Sequence, residues 1–174
     1  MLGREGEGIS ILMSGLDRER VSSGAAMTGE AQGAFELALA YAKRREQFGK
    51  AIINFQLIQA KLSDMGMAIE AARLLVYKAS SLCDKYAKGV TLAASYAKLF
   101  ACELALKVAP DACHISGGYG YTKDFPVERS LRDIATVEVG AGSSEIQRII
   151  TLPATGVWWP RPWEMCLPTR CGAC

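Results

Sequence analysis

Between Phe55 and Cys83 the side chains Phe55, Ile58, Leu62, Met65, Ile69, Ala72, Val76, Ala79 and Cys83 recur at alternating steps of three and four. A strand would throw this set onto both of its faces. A helix gathers it into one stripe over about eight turns. A stripe so long and narrow must lie as a seam against other helices. The segment 16–45 is dense in Ala and Gly, with Phe35, Leu39 and Ala42 at helical spacing, and predicts a second long helix that Gly29 and Gly33 weaken locally. Gly49 and Ile52-Ile53 mark the turn between the two, and Asn54 is the candidate N-cap. A third helix is predicted from Thr91 through Ala93, Ala97, Phe100, Leu104 and Val108, interrupted or kinked at Pro110 before a turn at Gly117. Short helices should cover 127–133 and 143–152. Strand signals are sparse, so the expected fold is all-α, an up-and-down helical bundle over residues 1–152. Beyond it the composition changes abruptly. All three tryptophans lie there, and 153–174 reads as an irregular, divergent tail, whether native, alternatively spliced or frame-shifted, with a Trp-rich binding motif as the rival reading.

Composition removes several classes of function. Lys plus Arg at 20 against Asp plus Glu at 18 gives a net charge of +2, too balanced for a dedicated nucleic-acid or membrane-surface binder, so any polyanion must be bound locally. No apolar run approaches the roughly 20 residues of a membrane span. The opening Met1-Leu2-Gly3-Arg4-Glu5 has the pattern of neither a secretory signal nor an Arg-rich transit peptide. Cys83, Cys102 and Cys113 fall in apolar helical patterns and are expected as reduced thiols, and Cys171-Gly172-Ala173-Cys174 has no second pair to complete a metal site. His114 is the single histidine, which excludes multi-histidine metal sites; no metal centre is expected.

Four clusters carry chemistry, and each has an ordinary reading. Glu19 between Arg18 and Arg20 is in the first instance a solvated charge cluster at a helix start. Arg44, Arg45 and Lys50 form a basic helix end, with Phe48 expected to pack. Gly117, Gly118 and Gly120 supply a turn, and with no strand before them they are no Rossmann fingerprint. Ser143, Ser144 and Glu145 open the last helix, where free amides and hydroxyls are available.

One further segment changes the balance. Residues 137–148, VEVGAGSSEIQR, resemble the C-terminal signature of acyl-CoA dehydrogenases, in which a glutamate before Gly-Thr removes the α-proton of the thioester. Here that slot holds Ala141, whose methyl group accepts no proton. The isovaleryl-CoA dehydrogenase type is similar at this point and supplies its glutamate from an earlier helix, in the pattern Leu-x-x-Glu-Arg. This chain has Leu16-Asp17-Arg18-Glu19-Arg20. Arg45-Glu46-Gln47-Phe48-Gly49-Lys50, Asn54-Phe55-Gln56, Gly117-Gly118-Tyr119-Gly120-Tyr121, Asp124-Phe125-Pro126 and Leu131-Arg132-Asp133 match the same family in the same order. The resemblance covers about residues 6 to 150.

What the resemblance implies can be stated residue by residue. Glu19 would be the base, needing enclosure against an apolar acyl chain to work near neutral pH, and Asp17, Arg18, Arg20 and Ala141 would line the acyl-CoA side. Arg45 would meet the pyrophosphate of FAD, with a planar fork suited to phosphate, and Gln56 would bind the same cofactor, both on a neighbouring subunit. Ser116, Gly117, Gly118, Tyr119 and Gly120 would approach its adenine end, with Tyr119 where the isovaleryl type more often has Asn. Ser143, Ser144 and Glu145 would meet cofactor oxygens. The implied enzyme oxidises a short or branched, isovaleryl-like acyl-CoA, as in leucine catabolism, passes electrons to an electron-transferring flavoprotein, and assembles as a homotetramer, a dimer of dimers. Its compartment would be the mitochondrial matrix in a eukaryote and the cytoplasm in a bacterium. The chain lacks the family's N-terminal and middle domains, so alone it should be inactive; the alternative reading is a truncated, non-catalytic bundle serving as an oligomerisation or interaction module.

Overall fold

The computed structural model describes residues 3–85 and 87–152; the tail expected over 153–174, with its tryptophans and the Cys171–Cys174 pair, lies outside them. Five helices carry the fold: α1 (Gly8–Arg44), α2 (Gln56–Asp84), α3 (Val90–Ser116), α4 (Val127–Val139) and α5 (Ser144–Thr151). The all-α expectation holds among the described residues. The exception is a two-residue-per-strand hairpin, β1 (Glu46–Gln47) with β2 (Lys50–Ala51), antiparallel in the register Glu46↔Ala51. Phe48 and Gly49 turn it with φ of 51° and 77°, the left-handed pair of the two-residue hairpin turn that suits strand twist.

Long-range contacts give the directions. Arg73 donates to Gln32 at 3.1 Å and Lys61 pairs with Asp111, so α2 runs antiparallel to α1 and to α3. Thr91 donates to Asp17 at 2.6 Å, and Gly24 lies where an added Cβ would be 3.3 Å from the Ala97 carbonyl. The helices α1 and α3 are therefore parallel, and they share the most extensive interface in the molecule. Small residues allow it: α1 buries Gly24, Ala31, Ala34, Ala38 and Ala42, and α3 buries Ala94, Ala97, Ala101, Ala105, Ala109 and Ala112. The α2 seam fills the other side with Leu62, Met65, Ile69, Ala72, Val76 and Ala79, while its ends, Phe55, Ile58 and Cys83, are only half buried. A larger member such as Ile69, 1% exposed, contributes about 1.5 to 3 kcal/mol on burial. Helix α4 returns antiparallel to α3, with Val127 beside Cys113 and Glu138 beside Lys98, and α5 closes on α3.

Four local expectations are corrected. Helix α1 starts at Gly8 rather than Leu16, because Ile9, Leu12, Met13 and Leu16 continue the helical spacing toward the N-terminus; Glu19 thus sits inside the helix and not at its start. Asn54 belongs to a 3-10 turn (Ile52–Asn54), and Phe55, extended at φ −94° and ψ 130°, takes the N-cap place of α2 without a side-chain cap. Pro110 does not interrupt α3, which runs to Ser116: Val108, Ala109 and Ala112 are at most 2% exposed, and their packing outweighs one lost helical hydrogen bond. Helix α4 continues past Asp133 to Val139, held by buried Ile134 and half-buried Val137.

Candidate functional site

A cavity of about 740 Å³ opens between the first turns of α1 and the start of α5. Its lining includes Asp17, Glu19 and Arg20 from α1, Thr91 from α3 and Ala141 and Gly142 from the turn before α5. The rest is mostly aliphatic, with Ile9, Met13, Leu16, Ile146 and Ile150. The carboxylate of Leu16-Asp17-Arg18-Glu19-Arg20 and the alanine in the glutamate slot are separated by more than a hundred residues, and the fold brings them to one cavity. Glu19 is exposed there, so enclosure by an acyl chain is not supplied by these helices alone. Arg18 is exposed and is not among the residues that line the cavity.

Asp17 and Arg20 do more than line the space. Arg20, 4% exposed, donates from Nη1 to Asp17 at 2.9 Å and from Nε to the Ala141 carbonyl at 3.4 Å. Asp17 in turn accepts from Thr91 at 2.6 Å. The chain ties α1, α3 and the Ala141 turn together. Ala141 is held at φ 55°, a left-handed conformation disfavoured for residues with a Cβ. Two residues that the sequence motifs do not mark complete the grip: Lys98 and Gln147, both 0% exposed, donate to carbonyls of the same turn. The available signal was a lysine inside the apolar stripe of α3, a place where lysine is rarely buried without partners.

At the other end of the bundle a second cavity, about 470 Å³, is lined by Tyr41, Arg45 and Gln47 at the end of α1 and by Ser116, Gly117, Gly118, Tyr119 and Thr122 after α3. The backbone of Arg45 is fixed, its N–H donating to Tyr41 and its carbonyl accepting from Ile52, both at 2.8 Å. Its guanidinium is exposed and has no ion-pair partner among the described residues. Gly118 has open space around its Cα, and Gly117 takes φ 60°. Tyr119 packs at a tilt against Tyr41 and Phe125, at centroid distances of 6.3 and 5.8 Å, forming an aromatic wall. A free fork, accessible backbone and an aromatic face fit a dinucleotide phosphate with its base.

Not every predicted residue joins it. Gln56 lies apart, on an open groove of about 720 Å³ beside the hairpin. Gly120 is buried, and a Cβ there would stand 2.5 Å from the Cys113 carbonyl, so the position requires glycine for close packing. The Ser116 hydroxyl is buried and donates back to Ala112 at 2.9 Å, and that of Ser144 is buried without a partner; neither side chain is presented at the surface. Ser143 and Glu145 are near the surface, the Ser143 hydroxyl donating to the Glu145 carboxylate at 2.6 Å and holding it below the usual carboxylate range. Phe48 is 92% exposed and touches Phe55 only edge-on, which corrects its reading as packing within this chain.

The thiols of Cys83, Cys102 and Cys113 are free, and burial pushes each above its ordinary range. Among the described residues no group of His, Cys, Asp and Glu could hold a metal, and no helix is long and apolar enough to cross a membrane.

Comparison with known proteins agrees with this geometry. Residues 6–154 match the family described as acyl-CoA dehydrogenase, C-terminal domain. The short-chain specific acyl-CoA dehydrogenase of Clostridium acetobutylicum is 45% identical over 150 residues, 86% of this chain and 39% of that protein. The structure of butyryl-CoA dehydrogenase from Megasphaera elsdenii superposes with a TM-score of 0.87 at 41% identity, covering 90% of this chain and 41% of that one. A chain from the structure solved for the electron transferring flavoprotein of Acidaminococcus fermentans gives 0.86 at 43% identity, covering 88% and 40%. The chain thus spans about two fifths of the length of these relatives.

Proposed function

Because the chain belongs to the acyl-CoA dehydrogenase family, as its C-terminal helical domain, we propose that it works within an FAD-dependent enzyme that converts an acyl-CoA to its 2,3-enoyl thioester. One observation supports this above all: Glu19 and Ala141, the relocated and the vacated base positions, line the same cavity. In the proposed reaction the Glu19 carboxylate takes the α-proton, the electrons of that C–H bond become the new double bond, and a hydride leaves the β-carbon. FAD supplies the acceptor for the hydride. The aliphatic lining, from Ile9, Met13, Leu16, Ile146 and Ile150, suits an apolar acyl chain, while Arg20 and Asp17 fix the wall on which Ala141 stands.

Arg45, the backbone at Gly117-Gly118 and Tyr119 would hold the dinucleotide, with Gln56 adding a contact from the adjoining groove. Arg45 follows Glu19 by 26 residues along one continuous helix, roughly 39 Å at 1.5 Å per residue. That exceeds an extended dinucleotide, so one FAD cannot touch both places in one copy. This separation supports association of copies, with a homotetramer as the proposed assembly. The match to a chain of an electron transferring flavoprotein structure supports such a flavoprotein as the electron acceptor. Relatives named for short-chain and butyryl substrates support a short acyl chain; the branched, isovaleryl-like substrate of leucine breakdown is the finer proposal, and the placement of the base on Glu19 is what supports it. The compartment follows the host, mitochondrial matrix or bacterial cytoplasm.

Substitution separates chemistry from binding. In the complete enzyme Glu19→Gln keeps shape and removes the proton acceptor, so turnover should fall about 10²-fold or more while FAD and acyl-CoA remain bound. Adding Ala141→Glu should restore part of the rate, because both positions line one cavity and a glutamate at φ 55° carries the same Cβ as the alanine already there. Unchanged turnover in Glu19→Gln would show that the base lies elsewhere.

A further inference from the structure

The turn from Gly140 to Gly142 joins α4 to α5. Helix α4 stops at Val139 and α5 starts at Ser144, which leaves the carbonyls at the end of α4 without helical donors. Side chains from three other helices meet them. The Lys98 ammonium, on α3, donates to the Glu138 carbonyl at 2.5 Å and to the Gly142 carbonyl at 2.9 Å. Gln147, on α5, donates to Ala141 at 3.2 Å and to Gly142 at 2.9 Å, and Arg20 adds its 3.4 Å bond to Ala141. Lys98 and Gln147 are fully buried. A cation at the C-terminal end of α4 is also favoured by the helix dipole. The two hydrogen bonds of this buried lysine both go to the end of α4 and the turn after it, and the turn itself sits in a conformation that its central alanine disfavours.

We infer that Lys98, seconded by Gln147, is a positioning residue for the base site: it holds the Ala141 turn in place as part of the wall of the cavity that Glu19 also lines, so that the α-carbon is delivered to the carboxylate. This rests on the reading of Glu19 as the base. The clamp acts on backbone and not on the side chain at 141, and it therefore fixes the wall whichever residue stands there.

Three measurements on Lys98→Met test it. In this chain, amide hydrogen exchange over residues 140–144 should quicken roughly tenfold, the size of a lost charge-assisted hydrogen bond, with the amides of α1 and α2 changed less than about twofold. In the complete enzyme kcat should fall by about tenfold with KM for butyryl-CoA within about twofold, because orientation and not binding is lost. Adding Ala141→Gly should recover most of that kcat, since glycine takes the left-handed conformation without a clamp. Unchanged exchange at the turn, faster exchange of all helices alike, a KM effect without a kcat effect, or no recovery with glycine each overturns the proposal. Should Lys98→Met not fold, Gln147→Met, which removes two donors and also a buried acceptor without a partner, carries the same three readouts. Exchange decides the clamp by itself, and turnover of Glu19→Gln decides the base, so the two failures are distinguishable.

Discussion

Replacing Gly120 by alanine tests whether the glycine loop after α3 is there for packing or for ligand. An added Cβ would lie 2.5 Å from the Cys113 carbonyl oxygen, 2.9 Å from its Cα and 3.1 Å from its carbonyl carbon. All three atoms are backbone of the last turns of α3, so no rotamer change relieves the overlap and the helix end must shift. Around it Ala112, Ile115, Ser116 and Val127 are at most 4% exposed, which leaves little room to move. Overpacking of this kind costs about 1 to 3 kcal/mol. With roughly 2 to 4 °C lost per kcal/mol in a domain of this size, Gly120→Ala should melt about 2 to 12 °C lower, read by circular dichroism or calorimetry. Gly118→Ala is the control. Nothing lies within 4 Å of its would-be Cβ and its φ is not left-handed, so stability should hold or rise by about 0.4 to 1 kcal/mol through the unfolded chain. In the flavin-loaded enzyme Gly118→Ala should instead weaken retention of FAD. A Gly120→Ala variant melting within about a degree of the parent would refute the packing argument.

Arg45→Ala removes an exposed guanidinium with no ion-pair partner among the described residues, so the domain should melt unchanged while the complete enzyme loses flavin more readily and shifts to smaller oligomers, by a contact worth about 1.5 to 3 kcal/mol; unaltered flavin content and size by gel filtration would count against it. Asp17→Ala strands the buried Arg20 and should cost about 3 kcal/mol in chemical denaturation, whereas loss under about 1 kcal/mol would show the Asp17–Arg20–Ala141 chain to be incidental. Ser143→Ala should raise the titration of Glu145 seen by NMR: its folded value is depressed chiefly by the Ser143 hydroxyl, so that contribution is present above the ordinary carboxylate range and lost as pH falls through the folded value. An unmoved Glu145 titration in that variant would mean that other donors set it.

The apolar stripe of α2, most of the stripes of α1 and α3 and the short helices near the C-terminus were legible in the sequence, because helical periodicity is a property of the local backbone and needs no partner to be read. Phe100, expected in the α3 stripe, is instead 39% exposed, because its face of α3 is not covered by a neighbouring element among the described residues. The pairing of Ala141 with Glu19 was legible only through the resemblance to the family, and the fold places both on one cavity. Tertiary structure decided the rest. Pro110 is tolerated because buried neighbours outweigh the hydrogen bond it removes, and Gly120 is needed because Cys113 lies against it. Ser116 and Ser144 look like surface hydroxyls in their motifs yet are buried by neighbouring elements. Arg20 reaches a carbonyl 121 residues away, and Lys98 reaches carbonyls 40 and 44 residues away. Which polar group is buried, and what satisfies it, depends on elements remote in the chain, so no local pattern could disclose that the turn bearing Ala141 is held by an arginine, a lysine and a glutamine from three different helices.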